Sequence, residues 1–291
     1  MRNFATWLAC TLICVGCGND FAPGSRVEKL RLLALRADLP TAHPGETVSL
    51  EALAYDPEGR ALTWGWATCP TPEGSTVDAC LAALDPSTVV LAEDMPTHSI
   101  RIAEDALPEG VGREAAYVGV IVAVCPGTLE LAPSEGSPFT CRDGEGRTLA
   151  LYEHEVGMKR IRVRERDRNE NPTLLGLMLD GQPWPEDEVP TFAPCTTDDI
   201  DTCEETTVHS VEVAVGPIES GVDELGVEFE EQTLVQYYAT AGHFEHELRT
   251  AASPATTFAA TGEGELTLWF VVRDERGGSS WTSRRVRLGV E

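Results

Sequence analysis

Pro44-Gly45-Glu46-Thr47-Val48-Ser49-Leu50-Glu51-Ala52-Leu53-Ala54-Tyr55-Asp56-Pro57-Glu58-Gly59 runs directly into Arg60-Ala61-Leu62-Thr63-Trp64-Gly65-Trp66-Ala67-Thr68. Between Glu46 and Tyr55, Val48, Leu50, Ala52 and Ala54 share one face. Thr47, Ser49 and Glu51 share the other, with Leu53 alone breaking the alternation. A period of two with one apolar face describes a half-buried β-strand. Asp56-Pro57-Glu58-Gly59 then reads as a turn, because Pro presets φ and Gly accepts positive φ. Ala61 to Thr68 is the next strand. Leu62, Trp64 and Trp66 lie on one face, and two indoles at a spacing of two favour a sheet over a helix.

Working outward, the segment before this pair is densely apolar. Leu30, Leu32, Leu33, Ala34 and Leu35 surround Lys29, Arg31 and Arg36, and Leu39-Pro40 with His43-Pro44-Gly45 ends the run. It reads as a first strand. After the pair comes a loop, Thr71 to Pro86, with a short helical piece at Asp78 to Leu84 and a strand expected at Ser99 to Ala103. Ala115 to Val124 is the most apolar stretch beyond the N-terminus and suits a central strand. Pro126 to Gly146 reads as a loop insertion. Val156 to Arg164 alternates again, with Arg160, Arg162, Arg164, Arg166 and Arg168 along one side. Asn169-Glu170-Asn171-Pro172 is a natural boundary. Beyond it, strands are expected at Leu174–Leu179, Val208–Val215, Glu230–Ala239, Thr256–Ala260, Glu265–Arg273 and Trp281–Val290.

The Pro-Gly-Glu-Thr-Val strand, the Asp-Pro-Glu-Gly turn and the Leu-Thr-Trp-Gly-Trp strand resemble the opening of immunoglobulin-like modules of the PKD and cadherin-like type. The resemblance covers Ala34 to Thr68 and implies a fold shared by adhesion, scaffold and carbohydrate-associated proteins, without an activity. The two halves of the chain also echo each other. Leu62-Thr63-Trp64-Gly65-Trp66-Ala67-Thr68 aligns with Leu234-Val235-Gln236-Tyr237-Tyr238-Ala239-Thr240, and Lys159–Val163 with Arg284–Leu288. The expected fold is therefore all-β, with two immunoglobulin-like β-sandwich domains in tandem, at 27–168 and 169–291. Asn-Pro at the entry of the second half, and Trp-Phe-Val-Val-Arg-Asp near its end, resemble domains of uncharacterised myxobacterial-type envelope lipoproteins, a family with no assigned activity.

The N-terminus sets the expected location. Arg2 precedes an apolar run from Phe4 to Val15 that is too short to span a bilayer and is followed by the polar Gly18-Asn19-Asp20. Residues 1–16 read as a signal peptide. Val15-Gly16-Cys17 resembles the end of a bacterial lipobox, which implies acylation of Cys17, a lipidated tether over 17–26, and membrane attachment through lipid alone. Gly18 behind it resembles the outer-membrane sorting pattern, placing the protein in the cell envelope, on the periplasmic or exterior side.

Composition agrees with an exported surface. Against 48 acidic residues stand 22 Lys and Arg, for a formal net charge of −26. Such a surface repels nucleic acid and anionic headgroups. Of nine cysteines, three lie at or before Cys17. The remaining six read as disulfides in an oxidising compartment. Many pairings are open. Sequence neighbours give the simplest set, Cys69–Cys80, Cys125–Cys141 and Cys195–Cys203, each closing a short loop and contributing about 2–3 kcal/mol. Zinc would want Cys pairs two residues apart with nearby His, which the chain beyond Cys17 lacks.

Candidate sites are few. Asp198, Asp199 and Asp201 offer hard oxygen ligands for Ca²⁺ without the spacing of a helical calcium loop. No other cofactor is expected. His243 and His246 fall in a strand-and-turn context that points them to opposite sides. No nucleophile elbow or His-Glu-x-x-His motif is present, so the chain reads as a non-enzyme. Trp64, Trp66, Tyr237, Tyr238, Trp269 and Trp281 read as packing residues. Trp184, in Gln-Pro-Trp-Pro, is expected to be exposed and to contact a partner. The function these features imply is a lipid-anchored envelope protein with a structural, adhesive or assembly role and an envelope protein or polysaccharide as partner. The alternative is a surface module binding calcium, carbohydrate or protein.

Overall fold

A computed structural model describes residues 23–70, 77–107, 116–134, 137–197 and 199–289. The first half supplies strands β1 (Arg31–Ala37), β2 (Thr41–Ala42), β3 (Thr47–Tyr55) and β4 (Thr63–Pro70), then a short helix α1 (Val77–Ala82). β5 (Val90–Glu93), β6 (Thr97–Arg101), β7 (Tyr117–Cys125), β8 (Thr128–Ser134), β9 (Ser137–Arg142) and β10 (Glu155–Val163) complete it. The second half begins with β11 (Leu174–Leu179), β12 (Gln182–Pro183), β13 (Thr191–Phe192), β14 (Val208–Val215), β15 (Ser220–Val222) and β16 (Glu228–Glu230). It ends with β17 (Thr233–Ala239), β18 (His243–Phe244), β19 (Leu248–Thr250), β20 (Thr256–Ala259), β21 (Gly264–Asp274) and β22 (Ser279–Leu288).

Two β-sandwiches result. In the first, sheet β1-β3-β6 faces sheet β2-β10-β7-β4-β5; in the second, β12-β11-β14-β20-β18 faces β13-β22-β21-β17-β19. The larger sheet of the first sandwich corresponds strand for strand to β13-β22-β21-β17-β19, and β1-β3-β6 corresponds to the central β11-β14-β20 of the other sheet, which β12 and β18 extend. β2 lies parallel to β10, with Thr41 opposite Arg162, as β13 lies parallel to β22, with Thr191 opposite Arg287. This order, with both sheets otherwise antiparallel, is that of tandem immunoglobulin-like sandwiches. The Asp56 turn forms as its residues dictate: Gly59 adopts φ 64° and donates to Asp56 O.

Pairing fixes the internal equivalence at one residue from the sequence alignment. Trp66 lies opposite Val122, and Tyr237 opposite Phe270. Trp66 therefore corresponds to Tyr237, not Tyr238. In a strand, a slip of one residue exchanges the faces, so only this register puts both large rings in their cores. Trp66 packs with Trp64, Val120, Val122, Val48 and Leu50 in the first core. Tyr237 packs with Phe244, Phe258, Phe270 and Val211 in the second.

The dense run at Leu30–Leu35 is explained by a β-bulge. β1 pairs with β3 through Leu32↔Ala54 and then Ala34↔Leu53, leaving Leu33 as the extra residue. A bulge sets two successive residues on one side. Leu30, Leu32, Leu35 and Ala37 thus serve the first core, while Leu33 and Ala34 are buried on the opposite face.

The stretch 126–146, expected to be a loop, contains the hairpin β8-β9. Phe139, Leu129 and Cys141 lay it over the outer face of β4 and β7, against Ala67, Ile121 and Ala123. Its apolar alternation is obscured in sequence by interspersed Pro, Ser and Gly. Three disulfides join Cys69 to Cys80, Cys125 to Cys141 and Cys195 to Cys203. The first two staple α1 and the hairpin to this covered face.

Candidate functional site

Cys17 and Asp198 lie outside the described residues. Asp199 accepts a hydrogen bond from Asp201 N at 3.1 Å and so caps a short turn, while Asp201 is exposed. Among the described residues no three His, Cys, Asp or Glu side chains converge as metal ligands. His243, in β18, is buried, and His246, beyond the end of that strand, is exposed.

Trp184 requires a correction. It is 2 % exposed and belongs to the core of the second sandwich, with its ring edge-on to Phe270 at 6.3 Å. Its indole N–H donates to Glu188 O at 3.3 Å, and its own carbonyl accepts from Arg284. The flanking prolines suggested a surface loop. The short β12 strand instead returns the chain onto β11 and folds the indole inward.

The feature that organises the molecule is the junction between the sandwiches, which the sequence reading did not anticipate. On the outer face of β17, β21 and β22, Tyr238, Trp269 and Val271 form a fourth apolar cluster with Val27, Leu33 and Ala34. Leu53, Tyr55 and Trp281 pack at its margin. Ala67, Ile121 and Ala123 of the first sandwich occupy the positions equivalent to Tyr238, Trp269 and Val271, by the pairing given above. The same face is therefore buried twice by different means. In the first sandwich the stapled hairpin covers it. In the second, the β1-β3 sheet of the first sandwich covers it. Each large side chain so buried contributes roughly 1.5–3 kcal/mol.

Polar contacts close the rim. Asn171 donates to Ala37 O and accepts from Ser279 N, both at 2.8 Å. Lys159 donates to Gly277 O at 2.5 Å, and burial pushes its amine down to about 8. Gly278 has no room for a side chain: a Cβ there would meet Glu170 O at 2.8 Å. The linker is clamped from the β15-β16 side. Glu224 accepts from Arg166 N and Asp167 N, and Asp167 accepts from Glu224 N. Arg276 is buried, lies 4.1 Å over the Phe229 ring, and donates to Arg168 O, Glu231 and Glu219. Burial pushes the Glu231 carboxyl up to about 7, with Asp274 and Glu219 adding to the shift and Arg276 opposing it.

The N-terminal segment joins the same body. Residues 23–26, expected to be tether, run beside the end of β17: Val27 N donates to Ala239 O and Ala239 N to Ser25 O, both at 2.9 Å. Ser25 Oγ donates to Glu247 at 3.0 Å, and Arg26 contacts His243. The signal available in sequence was small: one Ser and one Arg placed before an apolar run.

Beside the junction lies a crevice of about 290 Å³. One wall is the outer face of β7 and β10, carrying Tyr117, Arg160 and Arg162. The other is the turn Asp274–Gly277. A second hollow, of about 250 Å³, continues it toward Arg164, Asp167 and Phe229 and shares Arg162, Glu275 and Arg276. Arg160, Arg162 and Arg164 of the arginine stripe thus line a concave surface between the sandwiches.

No protein-family model matches the chain, and no curated protein sequence matches it. Among solved structures, it is similar to fibronectin(III)-like modules of CbhA from Clostridium thermocellum. The identity is 9 %, covering 88 % of this chain and 94 % of that one, with a TM-score of 0.24. A chimeric titin Z1Z2-Z1Z2 tandem matches at 9 % identity over 90 % of this chain and all of that one, with a TM-score of 0.26. Red sea bream transglutaminase matches at 11 % identity and a TM-score of 0.25, over 91 % of this chain, which spans about a third (32 %) of that protein's length. The class of the protein, tandem immunoglobulin-like β-sandwiches, rests on its own strand order.

Proposed function

We propose that the chain is a non-enzymatic envelope surface protein, anchored in the outer membrane through a lipid on Cys17, with a structural, adhesive or assembly role. The observation that carries this reading is the fusion of the two sandwiches. A shared apolar cluster, a clamped linker and a docked N-terminal segment suit a rigid spacer that presents a fixed surface at a set distance from its anchor. The signal-like N-terminus, the three disulfides and the acidic composition support an exported setting. Gly24–Val27 are held on the body, and the length of chain from Cys17 to Pro23 can span at most about 20–25 Å. The body would stand close to the bilayer.

Intact mass of the mature N-terminus, with detergent partitioning, tests the anchor. Acylated Cys17 is the expected end. An unacylated end at another residue, with the protein in the aqueous phase, would overturn it.

A further inference from the structure

The turn between Leu149 and His154 holds two apolar side chains out in solvent. Glu153 N donates to Ala150 O at 2.9 Å, which makes Leu151 and Tyr152 the central pair of a tight turn. Such positions ordinarily carry Gly, Pro, Asn, Asp or Ser. Here Leu151 is 64 % and Tyr152 71 % exposed, the latter more than any other large apolar residue described. The turn is fixed from below. Leu149 and His154 are buried on either side of it, and Leu149 N donates to Cys141 O at 2.8 Å. His154 Nδ1 donates to Ala150 O at 2.9 Å, and Glu153 accepts from Ala150 N and from both terminal nitrogens of Arg147. Lys29 Nζ donates to Tyr152 O at 3.5 Å, so the tip lies beside the N-terminal segment. Lys29 is exposed and, among the described residues, has no ion pair. The neighbouring acids are engaged within the protein. Glu28 pairs with Arg26 at 3.1 Å, Glu153 with Arg147 at 3.0 Å, and Glu155 is partly buried and accepts from Leu32 N.

We propose that Leu151 and Tyr152, with Lys29 beside them, dock on the zwitterionic lipid surface that holds the anchor, and so fix which end of the body faces the bilayer. Chain length selects this occupant. Arg31, two residues beyond Lys29, donates back to Gly24 O, so the segment leading to Cys17 leaves the body near the tip. From Cys17 to Pro23 it can span at most about 20–25 Å. A tip held that close to a membrane meets lipid at high effective concentration, and two side chains are then enough to set an orientation. The residue types suit the boundary. A tyrosine places its ring among apolar groups and its hydroxyl in water, and a lysine lays its stem on apolar surface with the ammonium among phosphates. The net charge of −26 selects zwitterionic over anionic headgroups. The exposed Val222 and Val227 lie at the other end. The β15-β16 hairpin is bonded to the start of β17 through Glu231 N and Glu219 O, whereas the N-terminal segment meets β17 at Ala239, about 20 Å along the strand. This docking rests on the lipid anchor proposed above and adds an orientation to it.

The test returns the acylated protein to phosphatidylcholine–phosphatidylethanolamine vesicles with brominated acyl chains, which quench tryptophan inside the bilayer. Flotation with the vesicles reads the anchor, and quenching reads the docking. Tyr152→Trp puts one interfacial aromatic in place of another, and Val222→Trp places the same probe at the far end. Quenching beyond that of the parent should be at least about threefold greater for Tyr152→Trp than for Val222→Trp. Adding Leu151→Ser to Tyr152→Trp should cut that excess by about half, since less apolar surface enters the bilayer. Near-ultraviolet circular dichroism of each variant checks that the fold is retained. Protein that floats with no excess quenching at position 152, or with equal quenching at both positions, would overturn the docking and leave the anchor standing. Protein that does not float would overturn the anchor, and the docking with it.

Discussion

The indole of Trp269, in the second sandwich, lies against the ring of Tyr55, in the first, with centroids 4.7 Å apart and planes tilted by 53°. Around this pair Arg36 stands 4.6 Å over Trp281, and Arg31 5.1 Å over Tyr238. Strands distant in sequence thus meet through aromatic and cation–π contacts, each adding about 0.5–1.5 kcal/mol beyond area burial. Two sandwiches joined only by a linker would move independently by default. Here the interface is apolar at its centre and hydrogen-bonded at its rim.

Trp269→Ala should remove the centre of that interface without touching either sandwich core. Loss of a large buried aromatic costs about 3–5 kcal/mol. The expected signature is a single calorimetric transition in the parent and two in the variant, the sandwiches unfolding separately. An unchanged single transition at the parent temperature would show that the cluster does not couple them.

Glu231 gives a pH signature. Its folded carboxyl sits at about 7, above the ordinary value of 4.5, so between those values the native state binds more protons than the unfolded one. Stability from this group is full below pH 4.5 and is lost as pH rises to 7. Glu231→Gln should keep the contact with Arg276, remove this slope, and stabilise the protein at pH 8 by about 1–2 kcal/mol after allowance for screening. Glu46 runs the other way. The Arg168 guanidinium holds it at about 2, so its contribution is present above pH 4.5 and fades as pH falls toward 2. Chemical denaturation of the parent, Glu231→Gln and Glu46→Gln at pH 3, 5, 7 and 8 separates the two slopes.

Replacing Cys125 and Cys141 together by Ser should destabilise by about 3–5 kcal/mol, more than loop entropy alone, because the hairpin carrying Phe139 is also released from the outer face of β4 and β7. Hydrogen exchange should accelerate in β8 and β9 first. Replacing Cys195 and Cys203, which close a loop beside exposed Asp201, should cost less and leave the sheets protected.

Much of this architecture is legible in the residues. The alternation at 47–55 and 208–215, the Asp56 turn and the two indoles at positions 64 and 66 each report one strand with one buried face, and pattern reading handles that case well. It fails where both faces are buried. Leu33 and Ala34 look like a flaw in a strand until the bulge assigns them to a second partner. The alignment of the two halves sets Trp66 against Tyr238, one residue off, because adjacent tyrosines face the core and the junction in turn. Trp184 misled through its prolines, which mark chain direction more than exposure. The junction itself could not be read locally. It depends on long-range geometry that brings β1 onto β22, and no motif of a few residues encodes that. The basic stripe was visible in sequence, while the concave setting of Arg160, Arg162 and Arg164 came only from the way the sandwiches meet.

The central claim is that the two sandwiches form one rigid body. Residual dipolar couplings of backbone amides, measured on the labelled protein in a dilute aligned medium, test it most directly. A single alignment tensor should fit amides of β3, β7 and β10 together with those of β14, β17 and β21, with the same quality as either set alone. Two tensors of different magnitude, with separate rotational correlation times for the two halves, would contradict it.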